Sequence, residues 1–192
     1  MSFMQQELFL FRHGDIISKE KIFLGWINAP LNKNGLLQAK KVSKDLSRKK
    51  IDYGFCSDQL RSKQALGEVM KYHPKAKVIV DHRLRERHYG IFSGHSKALF
   101  KKLFPKKFEE IHRGYDTTIP CGENLFDVSK RVFPFMNDLL KFMQKEKCNV
   151  VISAHTNSLR LMQEYLEGLA KSEVVKKEHS PTQYKKYVIS FL

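Results

Sequence analysis

The sequence predicts an α/β fold, a three-layer α/β/α sandwich around a mostly parallel central sheet. Two observations predict it. Short apolar runs, each stopped by a glycine or a polar residue, alternate with longer stretches whose apolar residues recur at helical spacing. Two of those runs also end in histidine, as FLFRHG at His13 and as VVISAH at His155. Ligands of open α/β sheets bind beyond the carboxyl ends of the strands, so both imidazoles share one crevice if their strands are neighbours.

The elements follow in order. Residues 7–14, ELFLFRHG, are apolar, bounded by a glycine and too short for a helix, which predicts a strand. Gly25, Asn28 and Pro30 mark the next stretch, with Trp26, as loop. After Gly35, the stripe of Leu36, Ala39, Val42 and Leu46 predicts a helix. Its basic end, Arg48 to Lys50, suits the negative pole of a helix. Residues 51–56 form a second strand, and Ser57 or Asp58 is expected to cap the helix that places Arg61 in its first turn. Residues 77–80 are a third strand, followed by the charged, aromatic loop LRERHYGIFSG over 84–94.

Short helices are expected at 97–103 and 106–113, then a loop over 115–122. Residues 123–145 hold the longest helical pattern, with Leu125, Val128, Val132, Leu139 and Met143 on one side. Pro134 inside it should bend or divide the helix, because proline removes a backbone bond. Residues 149–154 form a strand, and Thr156, Asn157 or Ser158 is expected to cap a helix bearing Leu159, Met162 and Leu166, closed by Gly168. A short helix near 172–177 and a strand over 187–192 complete the pattern. No repeat, low-complexity segment or linker interrupts it, so residues 1–192 are read as one domain.

Composition sets bounds. The hydrophobic fraction of 42% suits a folded chain. No apolar run reaches the ~18–20 residues of a membrane span, and MSFMQQ has no features of a secretory signal. The expectation is a cytoplasmic protein with no membrane partner. Cys56, Cys121 and Cys148 are scattered and odd in number, so they read as free thiols. The net charge of +15 reads first as a lysine-rich solvated surface, with pairs such as Lys101–Lys102 and Lys106–Lys107. Sharper readings are steering of an anionic substrate or non-specific nucleic-acid binding. The second is disfavoured because no zinc-finger, RNA-recognition or helix-turn-helix pattern is present. The arginines differ from the lysines: Arg12, Arg61, Arg87, Arg113 and Arg160 all fall inside motifs, and the guanidinium fork matches phosphate and carboxylate oxygens.

Arg12, Arg61 and His155 around His13 would form a positive pocket for a tetrahedral dianion. A neutral imidazole there can attack phosphorus near pH 7, while a histidine merely hydrogen-bonded in the core is the other reading. Glu86, in a loop after a strand, is the candidate proton donor; a surface ion pair is its alternative. Arg85 and Arg87 would lower its pKa and burial against Tyr89 would raise it. No metal is expected, since the histidines lack HExxH spacing and no cysteine pair accompanies them.

FLFRHG, then Gly25, Trp26, Pro30, Leu31, Gly35, Gln38 and Ala39, then Ser57, Asp58 and Arg61, then LRERHYG, CGEN and SAHTNSLR together resemble the histidine phosphatase superfamily. Within it the chain is most similar to the cofactor-dependent phosphoglycerate mutases, over about residues 8–192. The resemblance implies that His13 is the phosphorylated nucleophile, that Arg12, Arg61 and His155 bind the transferring group, and that Glu86 exchanges the proton. It implies that Arg87, Tyr89, Lys97 and Arg113 hold the rest of a small phosphorylated sugar acid, with Asn157 beside the second histidine. The implied reaction interconverts 3-phosphoglycerate and 2-phosphoglycerate in glycolysis or gluconeogenesis, primed by 2,3-bisphosphoglycerate. A monomer or dimer is expected. The loop after Gly14 reads DIISKEKIF, Leu24 precedes Gly25, and Thr156 follows His155, each departing from the mutase pattern. The mutases' mobile tail has no counterpart after the last strand, so water is expected to compete for the phosphohistidine. The alternative expectation is therefore a phosphatase of small phosphomonoesters.

Overall fold

The computed structural model describes residues 4–191, apart from the side chains of Met4 and Arg113. Five strands form one sheet: β1 (Met4–Arg12), β2 (Tyr53–Cys56), β3 (Lys77–Val80), β4 (Val150–Ala154) and β5 (Tyr184–Phe191), in the order β3-β2-β4-β1-β5. β1, β2, β3 and β4 run parallel, while β5 pairs antiparallel with β1. The expected α/β class and mostly parallel sheet are therefore observed.

Seven α-helices accompany the sheet among the described residues: α1 (Lys33–Leu46), α2 (Leu60–Met70), α3 (Lys97–Leu103), α4 (Pro105–Arg113), α5 (Leu125–Glu146), α6 (Thr156–Glu167) and α7 (Lys171–Val174). Strand alternation sorts the core into two layers. Phe9, Phe11 and Val151 face α1 and α2, packing with Val42, Leu46, Leu66 and Val69. Leu8, Leu10, Val150 and Ile152 face α5 and α6, packing with Val132, Met136, Leu159 and Met162. A third cluster of Phe23, Tyr89, Phe108, Ile111 and Ile119 joins α4 to the loops around the strand ends.

Several local expectations need correction. Neither Ser57 nor Asp58 caps α2; its N-cap is Gln59, without a side-chain cap bond. The Ser57 hydroxyl is engaged with His155 and the Asp58 carboxylate with Arg85. Likewise α6 begins after His155 with no side-chain cap. There the Asn157 amide oxygen accepts from Arg160 and the Ser158 hydroxyl donates to the Leu84 carbonyl. Pro134 does not divide α5, which runs unbroken for 22 residues from a capping box of Asn124 and Asp127. β5 begins at Tyr184 rather than 187, because its pairing follows β1 as far as Phe11↔Tyr184; Leu192 lies outside the described residues. The predicted loop over 84–94 contains a 3-10 turn, Gly90–Phe92, and another, His82–Leu84, leads into it.

Candidate active site

β1 and β4 are adjacent and in register, with Arg12 opposite Ala154. The next residue on each is therefore a histidine, and the His13 amide extends the ladder to the Ala154 carbonyl at 3.2 Å. The two imidazoles meet at the carboxyl edge, ring centroids 4.9 Å apart. Both are buried. Directly after His13 the chain crosses the start of α1 so closely that side chains are excluded. A Cβ on Gly14 would lie 2.4 Å from the Gly35 carbonyl oxygen, and one on Gly35 would lie 2.0 Å from that of Asp15.

The hydrogen bonds of His13 set its tautomer. Its Nδ1 lies 2.7 Å from the Gly14 carbonyl oxygen, which can only accept, so Nδ1 carries the proton. Nε2 is left with its lone pair, directed at the Nε–H of Arg61 at 3.2 Å. Burial lowers the pKa of His13 well below the usual histidine value, with Arg61 and Arg12 adding to the effect. The ring is therefore neutral at neutral pH. His155 is lowered in the same way, first by burial and then by Arg61 and His13. Its Nε2 lies 2.7 Å from Ser57 Oγ, while its Nδ1 is buried without a hydrogen-bond partner.

Arg61 projects from the first turn of α2 and is fully buried. Besides His13, it donates to the carbonyls of Ile27 and Gly25, each at 2.8 Å. Burial lowers its pKa to about 10, with Arg12 also lowering and Glu86 raising it, so it remains a cation at neutral pH. Arg12, half-buried, donates to the His179 carbonyl at 3.4 Å, and its Nε is buried without a partner.

The segment carrying Glu86 is held from several directions. Its amide donates to Gln59 Oε1, and its carbonyl accepts from Trp26 Nε1 and Arg131. The carboxylate accepts from the amides of Arg87 at 2.8 Å and Asn157 at 3.2 Å, so it sits at the positive end of α6. The expected neighbours divide: Arg87 lies beside Glu86, whereas Arg85 turns away to Asp58 and stacks over Trp26.

Arg87 is 1% exposed and lies over the Tyr89 ring at 4.7 Å. Lys97, the first residue of α3, approaches the rings of Phe23 and Tyr89 at 5.5 and 5.8 Å. Burial would raise the pKa of the Tyr89 phenol, but Arg87 and Lys97 together bring it below the ordinary value. Asn157 donates from Nδ2 to the Tyr89 oxygen at 3.4 Å. Of the ten expected residues, nine are thus placed around or beside the crevice. The side chain of the tenth, Arg113, lies outside the described residues.

Four contributors escaped the sequence reading. Ser57 orients His155, and Gln59 bridges the Glu86 amide to the Gly25 carbonyl. Arg131, from α5, binds the carbonyls of Arg83, Arg85 and Glu86 together with the Glu123 carboxylate. His179 accepts from Arg12 on its backbone carbonyl, and its two ring nitrogens are buried and unpartnered. Only Ser57 had a signal, since it stands at the end of a strand next to the crevice. Among the described residues, no group of three or more His, Cys, Asp or Glu is placed to hold a metal ion.

A mostly parallel sheet whose adjacent central strands each deliver a buried histidine to an arginine-lined crevice defines an α/β protein with a histidine pair among arginines at its carboxyl edge. The chain belongs to the histidine phosphatase superfamily (branch 1), whose family model matches residues 8–190. It is 30% identical to the 2,3-bisphosphoglycerate-dependent phosphoglycerate mutase of Methanococcus vannielii, over 89% of this chain and 85% of the relative. It is 32% identical to the phosphoglycerate mutase of Schizosaccharomyces pombe, over 89% and 84% respectively. Among solved structures, a mycobacterial glucosyl-3-phosphoglycerate phosphatase superposes with a TM-score of 0.83 at 20% identity, covering 95% of this chain and 89% of that one. The α-ribazole phosphatase of Shigella flexneri gives 0.81 at 20%, covering 94% and 89%. At that identity the likeness to solved structures concerns the fold.

Proposed function

We propose that this chain transfers phosphoryl groups through a phosphohistidine at His13, and that its reaction is the interconversion of 3-phosphoglycerate and 2-phosphoglycerate. The observation that carries the first part is the bare Nε2 of His13, held by the Nδ1 bond to Gly14 and faced by a buried arginine. In this reading Nε2 attacks phosphorus, and Arg12, Arg61 and His155 take up the charge on the phosphoryl oxygens. Glu86 gives its proton to the leaving oxygen and later recovers one from the attacking hydroxyl. 2,3-Bisphosphoglycerate would donate the first phosphoryl group to His13, held by the same residues.

The sugar-acid part of the proposal rests on Arg87, Tyr89 and Lys97. Two cations packed against one aromatic ring, Tyr89, beside Glu86 and Asn157 suit a substrate carboxylate. The relatives named as phosphoglycerate mutases support the same reading. One observation favours a second reading, hydrolysis of small phosphomonoesters. The loop after Gly14 directs its polar side chains elsewhere: Asp15 accepts from Asn34 and Gln38, and Ser18 donates to the Glu20 carbonyl. Hydrolysis uses the same phosphohistidine with water as acceptor.

The test supplies 3-phosphoglycerate with and without 2,3-bisphosphoglycerate and measures 2-phosphoglycerate and free phosphate separately. A mutase forms the isomer in excess of phosphate and responds to the primer. Phosphate release without isomer would replace the mutase reading with the phosphatase. Undiminished turnover by His13→Ala would remove His13 as nucleophile from both.

A further inference from the structure

The corner between α3 and α4 has a composition that the catalytic reading does not use. Residues 101–107, KKLFPKK, are all exposed, with Leu103, Phe104 and Pro105 at the centre and a lysine pair on each side. Leu103 and Phe104 are each more than half exposed, as are Leu99 on α3 and Ile91 before it. These four side chains share an apolar groove of about 320 Å³ with Phe92 and Phe100. A contiguous apolar patch with a charged rim marks an interaction surface. Basic residues bordering apolar side chains suit the interface of an anionic bilayer, where the lysines meet headgroups and the apolar tips enter the acyl boundary.

We propose that the α3–α4 corner is a peripheral docking surface for anionic lipid membranes. Charge selects this occupant. Residues 101–110 hold four lysines against two glutamates, and the whole chain carries a formal charge of +15. Lys101 and Lys107 approach Glu109 and Glu110 at 3.8 and 3.3 Å, which moderates the positive field without reversing it. Face-to-face pairing with a second copy would set these lysines against their own kind. A purely electrostatic partner would leave Leu103 and Phe104 without a role. No helix among the described residues is long and apolar enough to cross a membrane, so the contact lies at the surface of the bilayer. The missing span, on which the expectation of no membrane partner rests, does not bear on a peripheral contact. The inference is independent of the catalytic proposal.

The experiment is co-sedimentation of the full chain with phosphatidylcholine vesicles and with vesicles that also contain phosphatidylserine. Binding is expected only to the second, with loss at high salt. The double variant Leu103→Gln, Phe104→Gln should bind about tenfold or more weakly, since the inserted side chains supply the apolar part. Its unchanged thermal melting would show that it folds. Three outcomes overturn the proposal: no sedimentation with the anionic vesicles, undiminished binding by the double variant, or equally tight binding to polyglutamate.

Discussion

Arg61 Nε lies 3.2 Å from His13 Nε2 and donates to it. In the proposed reaction, the cation that would meet the transferring group thus also occupies the lone pair of the proposed nucleophile at rest. A phosphoryl group arriving at His13 would offer Arg61 better acceptors, and the exchange would free Nε2 as the substrate seats. The remaining nitrogens of Arg61 are fixed on Ile27 and Gly25, so the guanidinium needs little rearrangement.

Arg61→Lys should therefore cost about 10²–10³ in kcat/KM, comparable to losing an oxyanion-stabilising donor. A lysine ammonium cannot reach both carbonyls and the reacting group in one geometry. Steady-state kinetics and a denaturant melt, run together, separate chemistry from stability. Loss of stability with kcat/KM intact would place Arg61 in the scaffold alone.

The histidine environment sets the pH response. Burial first, then Arg61, lowers His13 and His155 below the ordinary value of about 6.5. His179 is brought to about 4, again by burial first and then by Arg160 and Arg12. Below about pH 6.5 the unfolded chain binds protons at these positions that the folded chain refuses. Their stabilising contribution is complete above that pH and is lost as pH falls toward the folded-state values. The acid limb of kcat/KM should accordingly lie well below pH 6.5. Imidazole titrations followed by NMR check the cause, and a His13 midpoint near 6.5 would contradict it.

Glu86→Gln should slow turnover in proportion to the need for a proton on the leaving oxygen. With an alkyl phosphate such as a phosphoglycerate the loss is about 10²–10³-fold, and with p-nitrophenyl phosphate it is far smaller. Equal losses on both substrates would assign Glu86 a role other than proton transfer.

Arg131→Met touches none of the proposed reacting atoms. It removes the donor from three loop carbonyls and leaves Glu123, mostly buried, without its ion-pair partner. The expected cost is about 3 kcal/mol of stability. Loosening the segment that carries Glu86 should also lower kcat more than it raises KM. An Arg131→Lys variant should recover part of the stability but little of kcat, because one ammonium cannot serve all these acceptors. A kcat equal to the parent's in the methionine variant would detach Arg131 from the site.

The strand-end histidines were legible because strand, polar stop and histidine are consecutive in the chain. Arg61 was legible for the same reason, one turn past the end of β2. What was not legible depends on partners far apart in sequence. Ser57 and Asp58 have the composition of helix caps, yet His155 lies 98 residues from Ser57 and Arg85 lies 27 from Asp58. Those tertiary contacts outcompete the local cap bonds. Arg131 lies on the flank of a helix whose apolar stripe explains its spacing completely, so nothing in the stripe marks it as a clamp. Pro134 is expected to bend or divide α5; it does not divide it, because Val132, Phe135 and Met136 are buried on either side and hold the helix through that point.

The placing of β1 between β4 and β5 bears on how the protein is made. The strand that delivers Arg12 and His13 leaves the ribosome long before both of its neighbours, β4 and β5. Glu7 waits for Asn149, 142 residues further on, and Phe11 waits for Tyr184. Throughout that interval LFLF has neither edge paired, and such long-range pairing is slow to form. On the ribosome the crevice therefore cannot assemble before β4 has emerged, and an unpaired β1 needs shelter from self-association during translation.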